Sequence, residues 1–277
     1  MSNDLNNRKR AFAEVVSVEA WHKAFSTDNA KADLHADVVF GTARIGGEAE
    51  SAVRFRLRMK RADIVVVISE TEPVEVEKQS VSRDSPQLHA HFSKTSDRLS
   101  GIAAGANAGA KASADGVAIS IQAQASARTE ITKTEKIELS GDLGLMKVTQ
   151  SKTSDGHYRW TIEALVDGYL DGRPWDGANA PRLKLIDRRR DPGRGIPPSV
   201  RVEVRCRRED IEILDLKIKD EGIWAGAKAK VGFQNRMKAA EAYIRDQLAR
   251  EGLQVDNIND IFGELTFAST TAEPISE

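Results

Sequence analysis

Three groups of residues in this 277-residue chain have types and spacings suited to chemistry. Leu88-His89-Ala90-His91-Phe92 sets two imidazoles on one side of a strand, a spacing that metal sites use, with Asp84 and Asp97 as carboxylate partners. No cluster of His, Cys or Asp follows downstream, so the pair reads as solvated strand residues and neither a metal nor another cofactor is assigned. Glu212, Asp215 and Lys217, with Asp187 and Asp191 upstream, form a second group. An alternating surface strand with paired charges explains these residues. The third group is basic: Arg182, Lys184, Arg188, Arg189, Arg190, Arg194, Arg201, Arg205, Arg207 and Arg208. Such a set neutralises phosphates and makes binding steeply salt-dependent. Glu203, Glu209, Asp210 and Asp187 are interleaved with it, and the aromatic residues of single-strand binders are missing. The set therefore reads first as a salt-bridged, solvated face, with Arg188, Arg189, Arg190, Arg194, Arg205 and Arg207 as the candidate nucleic-acid contacts. No phosphate loop, dinucleotide fingerprint, nucleophile elbow or cysteine-nucleophile context occurs, and no residue is assigned a catalytic role.

Asp215-Leu216-Lys217 resembles the carboxylate-x-lysine end of the PD-(D/E)xK nuclease signature, over three residues. That resemblance implies a metal-dependent nuclease, in whose sites carboxylates hold Mg²⁺ while a lysine stabilises charge or orients water. Upstream the order is Asp191-Pro192 rather than Pro-Asp.

The elements that must carry these groups are mostly strands, and the least ordinary lies between residues 101 and 139. Apolar residues fall on even positions at Ala104, Ala106, Ala108, Ala110, Ala112 and Ala114, then on odd positions at Val117, Ile119, Ile121, Ala123, Ala125 and Ala127. The phase changes at Asp115-Gly116, a dipeptide suited to a two-residue type I′ turn that pairs Ala114 with Val117, Ala112 with Ile119 and Ala110 with Ile121. Both apolar sets then share one face of a long amphipathic hairpin, whose second strand keeps alternating through Ile131, Ile137 and Leu139. This alternation is similar to that of the stem hairpins of β-pore-forming proteins, which implies a membrane-inserting segment. The same small side chains also suit close approach of protomers in an assembly, or a strand pair buried beneath a sheet or helix of its own chain. Alanine offers little apolar area, and neither Trp nor Tyr stands near the hairpin ends as an interfacial anchor.

Elsewhere Val53, Phe55, Leu57 and Met59 alternate with Arg54, Arg56, Arg58 and Lys60, a half-buried strand with a basic face, and Ile64 to Ile68 reads as a strand covered on both sides. Asp155-Gly156 separates Met146 and Val148 from Tyr158, Trp160 and Ile162 in a second hairpin. A third is expected where Val200 to Val204 run up to Arg207-Arg208-Glu209-Asp210 and Ile211 to Ile218 return. Phe12, Val15, Val16, Ala20 and Phe25 follow helical intervals, as do Phe233, Met237, Ala240, Ile244 and Leu248, with Gly252 as a C-cap. The expected organisation is an N-terminal helical segment over 1–30, a β-rich domain over 31–225 with a boundary near 167–180, a C-terminal amphipathic helix over 226–253 and a disordered tail over 268–277. The fold class is mainly β, a β-sandwich or layered antiparallel sheet.

Lys+Arg 41 against Asp+Glu 42 leaves a formal charge of -1, so no global field draws the chain to nucleic acid or an anionic membrane. A single cysteine, Cys206, fits a reducing compartment, and neither a signal peptide nor an apolar run of about 18 residues occurs. These features point to a cytoplasmic protein. By elimination, the expected function is a non-enzymatic protein that self-associates or binds through the 101–139 hairpin, as a homo-oligomer, with membrane perforation as the extreme form. The alternative is a metal-dependent nuclease or nucleic-acid accessory protein using the arginine cluster.

Overall fold

The computed structural model describes residues 8–47, 51, 53–83, 91–95, 136–140, 146–165, 168–192, 195–218, 229–256 and 260–275. Met1–Leu88 with Gly144–Glu277 form one compact unit, and His89–Leu143 form another. The first stretch holds β1 (Arg8–Arg10), β2 (Val16–Lys23), β3 (Lys31–Phe40), β4 (Ala43–Gly46), β5 (Val53–Met59), β6 (Arg61–Ile68) and β7 (Val74–Val76). The second unit supplies β8 (His91–Thr95) and β9 (Lys136–Ser140). Then come β10 (Met146–Lys152), β11 (Tyr158–Ala164), β12 (Leu183–Asp187), β13 (Val200–Arg207), β14 (Ile211–Ile218), the helix α1 (Ala229–Arg250), β15 (Glu264–Thr271) and β16 (Glu273–Ile275). The protein is mainly β, as its alternating sequence requires.

In the larger unit the strands form a six-stranded sheet, β1-β15-β13-β6-β11-β10, a five-stranded sheet, β16-β2-β3-β12-β7, and a three-stranded sheet, β14-β5-β4. All pairings among the described residues are antiparallel except that of β16 with β2. β2 packs against β15 and β13, so the apolar faces of the two larger sheets share one core, where Phe12 lies 6.0 Å from Phe267 between ring centroids. Four connections pass the chain from sheet to sheet with hardly a loop: Gly41-Thr42, Lys60, the single 3₁₀ turn 208–210, and Ala272. Two of them are tied together, because the Lys60 N–H donates to the Asp210 carbonyl at 2.8 Å. Corners of this kind let consecutive strands serve different layers of one core.

Corners also overturn the expected third hairpin. β13 and β14 do not pair with each other; β13 lies between β15 and β6, and β14 pairs with β5. The hairpin at Asp155-Gly156 does form, with Lys152 opposite Tyr158 and Trp160 opposite Gln150. Its loop is Ser154-Asp155-Gly156, closed by the Thr153 N–H on the His157 carbonyl at 2.9 Å, with Gly156 at φ 84°. That is a three-residue loop with glycine in the left-handed position.

Among its described residues, from Arg8 onward, the N-terminal segment is not helical. Val16, Val18, Ala20 and His22 face the core from β2, and only one turn, with the Val16 N–H on the Phe12 carbonyl, precedes it. Positions 12, 15 and 16 therefore fit a helical period while 16, 18 and 20 fit a strand, and β-branched valines pairing with β3 settle the matter. The tail from Ala268 is likewise structured through Ile275, since β15 is an interior strand with Ala268 and Thr270 buried. Nor does the Gly-, Asp- and Pro-rich stretch near 167–180 divide the chain. Trp175 Nε1 donates to the Ala36 carbonyl at 2.7 Å, and Gly177 lies so close to β3 that an added Cβ would sit 2.7 Å from Asp37 Cα.

The C-terminal helix forms as its periodicity requires, with Ala240, Ile244 and Leu248 buried. It ends in a Schellman motif, in which the Leu253 N–H bonds the Leu248 carbonyl, the Gly252 N–H bonds the Ala249 carbonyl, and Gly252 takes φ 65°. The helix packs on β5 and β14, where Tyr243 meets Phe55 edge-on, and the Arg208 guanidinium is held by Glu241. No helix among the described residues is long and apolar enough to cross a membrane.

Candidate functional site

The second unit is described where its two strands pair. β8 and β9 form a two-stranded antiparallel sheet of their own, with His91 opposite Ser140, Phe92 opposite Leu139, Ser93 opposite Glu138, Lys94 opposite Ile137 and Thr95 opposite Lys136. The residue numbers of each pair add to 231. The pairing expected at the Asp115-Gly116 turn obeys the same rule, because Ala114 with Val117 and Ala110 with Ile121 also add to 231. The base of the excursion and its expected tip thus lie on one register line. A three-residue loop like that at Asp155-Gly156 would shift the tip by one and move each strand's apolar set off the shared face. Ala104, Ala106, Ala108, Ala110, Ala112, Ala114, Val117, Ile119, Ile121, Ala123, Ala125 and Ala127 themselves lie outside the described residues, as does His89.

The arginine cluster, contiguous in sequence, is divided by the fold. Arg188, Arg189 and Arg190 follow β12 in the five-stranded sheet, whereas Arg205 and Arg207 stand on β13 in the six-stranded one. Arg188 pairs with Glu75, and Arg207 with Glu209 at 3.6 Å. Arg189 grips the buried Asp187 at 2.6 Å and donates to the Pro192 and Ile196 carbonyls, tying down its own loop. Arg205 bridges Glu203 at 2.7 Å and Glu264 at 3.0 Å. Arg190 is exposed, and Arg194 lies outside the described residues.

The nuclease-like residues are not assembled either. Asp187 is on the five-stranded sheet under Arg189, while Asp215 is on the three-stranded sheet, where it meets Arg56 at 2.6 Å. Glu212 is held by Arg58 at 2.5 Å. No group of three or more potential metal ligands occurs among the described residues. Cys206 is buried, its thiol donates to the Arg61 carbonyl at 3.1 Å, and burial pushes its pKa well up, which is the opposite of a nucleophile's setting. A groove of about 280 Å³ beside β13 and β15 is lined by Lys9, Arg201, Glu203, Gln254, Thr266 and Ser269. Its buried carboxylate is spoken for, since Arg201 and Arg205 each take one oxygen of Glu203.

What the fold does gather is a basic face that only half shows in sequence. On β5 the inward residues Val53, Phe55, Leu57 and Met59 are buried, leaving Arg54, Arg56 and Arg58 outward, as their alternation requires. Pairing adds Arg44 of β4 opposite Arg56, and Lys217 of β14 opposite Arg54. Lys60, expected in the same row, belongs to the corner instead. The face carries five cations against Glu212 and Asp215. Arg44, Arg54 and Lys217 have no carboxylate partner among the described residues, and Arg58 lies 4.1 Å over the Tyr169 ring. A bulge between Leu214 and Lys217 brings Asp215 to Arg56 with the aspartate at φ 52°, a left-handed conformation that costs a non-glycine residue energy. No family model matches this chain, and a comparison with curated proteins finds no match.

Proposed function

We propose that this is a non-enzymatic, self-assembling protein, cytoplasmic and homo-oligomeric, whose scaffold carries the 89–143 unit as its interaction element. The observation that supports this reading is the shared register of the β8–β9 base and the expected Asp115-Gly116 tip. An uninterrupted ladder from one to the other contains roughly 24 pairs and reaches about 80 Å at the usual rise of ~3.3 Å per residue. Natural strands average five or six residues, and a lone two-stranded ribbon is marginal in water. A ribbon of that length, with one face uncharged from Ala104 to Ala127, needs another strand or surface against that stretch. A second copy of the same chain supplies both, by edge pairing and by packing of alanine faces, and a bilayer is the alternative apolar environment.

The test is the mass of the purified full-length chain across concentration, with and without liposomes, beside the double substitution Ile119→Ser with Ile121→Ser. The expected result is a discrete oligomer for the parent and a monomer of unchanged unfolding midpoint for the variant. A parent that stays monomeric in every condition overturns the reading. So does a variant that loses a few kcal/mol of stability as a monomer, because that cost belongs to residues buried in their own chain's core.

A further inference from the structure

We propose that the outer face of the β14-β5-β4 sheet docks on the surface of an anionic bilayer. The face sets Arg44, Arg54, Arg56, Arg58 and Lys217 outward with only Glu212 and Asp215 among them. Its layout is costly for the protein alone. Arg44 stands directly across from Arg56, and Lys217 directly across from Arg54, and like charges at facing positions destabilise a sheet. Three of the five cations have no carboxylate among the described residues to offset that repulsion, in a chain whose formal charge is -1 and which pairs most of its other described arginines with carboxylates. An external anion removes the cost.

The arrangement favours a planar anion over a linear one. Along β5 the arginines recur every two residues, about 6.6 Å apart, and the flanking strands add Arg44 and Lys217 about 4.8 Å to either side. The charges therefore fill a two-dimensional patch roughly 13 Å by 10 Å, comparable to the Debye length of about 10 Å in 0.1 M salt, so they act together. A nucleic-acid backbone is a line, and its recognition draws on aromatic platforms or an element projecting into a groove. Among the described residues this face has neither: its aromatic neighbour, Tyr169, is covered by Arg58. Headgroup phosphates and carboxylates of a leaflet present a sheet of anions to a sheet of guanidinium forks. The inference stands whether or not the 89–143 unit assembles, since every residue it uses lies in the larger unit.

Sedimentation of the full chain with vesicles tests it, comparing phosphatidylcholine alone with phosphatidylcholine containing about a third phosphatidylserine. Binding is expected only to the anionic vesicles and is expected to vanish in about 0.5 M salt. Each basic residue near such a leaflet strengthens binding about fivefold, so Arg44→Ala, Arg54→Ala and Lys217→Ala together should weaken it roughly a hundredfold. These side chains are exposed, and a circular dichroism melt at or above the parent's, as relief of the facing-charge repulsion requires, verifies that the variant is folded. The control removes three exposed cations elsewhere, with Lys78→Ala, Lys152→Ala and Arg190→Ala, and should bind like the parent. The proposal is overturned if the parent ignores anionic vesicles or if both triple variants weaken equally. It is also overturned if the parent binds a single-stranded oligonucleotide more tightly than the vesicles and loses that binding in the first variant.

Discussion

A disulfide placed near the Asp115-Gly116 turn would report whether the register seen at the base of the ribbon reaches its tip. The variant carries Ala110→Cys and Ile121→Cys, with Cys206→Ala to remove the only native thiol. On the register line of the β8–β9 pairs the two positions face each other, as His91 faces Ser140. Directly opposed residues in an antiparallel ladder have Cα atoms about 4.5–5.5 Å apart, inside the roughly 4.4–6.8 Å that a disulfide spans. The competing pair is Ala110→Cys with Ser120→Cys. It lies on the register that a three-residue loop would impose, the loop this chain uses at Asp155-Gly156. On the 231 line those side chains point to opposite faces of the ribbon, where no disulfide closes. Mild oxidation followed by non-reducing electrophoresis and mass analysis of the linked peptide distinguishes the two. Rapid, intramolecular closure of 110 with 121 and none of 110 with 120 is the expected result. The reverse preference means that a bulge separates base from tip, which breaks the single uncharged face and with it the argument for assembly.

Two further predictions concern the scaffold. His22 is buried; its Nδ1–H donates to the Lys23 carbonyl at 2.7 Å, and Nε2 is buried with no partner among the described residues, so burial holds its pKa below the ordinary value. The unfolded chain takes up this proton near pH 6.5 and the folded chain only at lower pH, so stability should decline as pH falls through about 6.5. His22→Phe should flatten that part of the stability curve, and identical slopes in parent and variant would contradict the assignment. Trp160, 1% exposed, donates from Nε1 to the Ser82 carbonyl at 2.9 Å, and Ser82 itself bonds the Arg182 carbonyl at the end of the five-stranded sheet. Trp160→Phe strands that carbonyl and leaves a void, so denaturant unfolding should show a loss of about 2–4 kcal/mol, and a loss under about 0.5 kcal/mol would refute this role.

Local rules were enough for some features. Period-two alternation places Val53, Phe55 and Leu57 inside and Arg54 and Arg56 outside, because a pleated strand allows nothing else. Gly252 ends the helix because only a residue without Cβ enters the left-handed region cheaply. The phase change at Asp115-Gly116 states a register that β8 and β9 keep at a distance of some 20 residues. Tertiary structure alone determined which strands meet. Val200 to Val204 and Ile211 to Ile218 look like partners in sequence, yet the 208–210 turn sends them to different sheets. The arginines at 188–190 and 205–207 are neighbours in sequence and part company because β12 joins the five-stranded sheet and β13 the six-stranded one. Arg44 and Lys217, more than 170 residues apart, come to flank one strand only through pairing with β5. Alternation tells a residue which way to face, since that is set by its own backbone; it carries no term for the neighbour, which is selected by burying the most apolar surface over the whole chain.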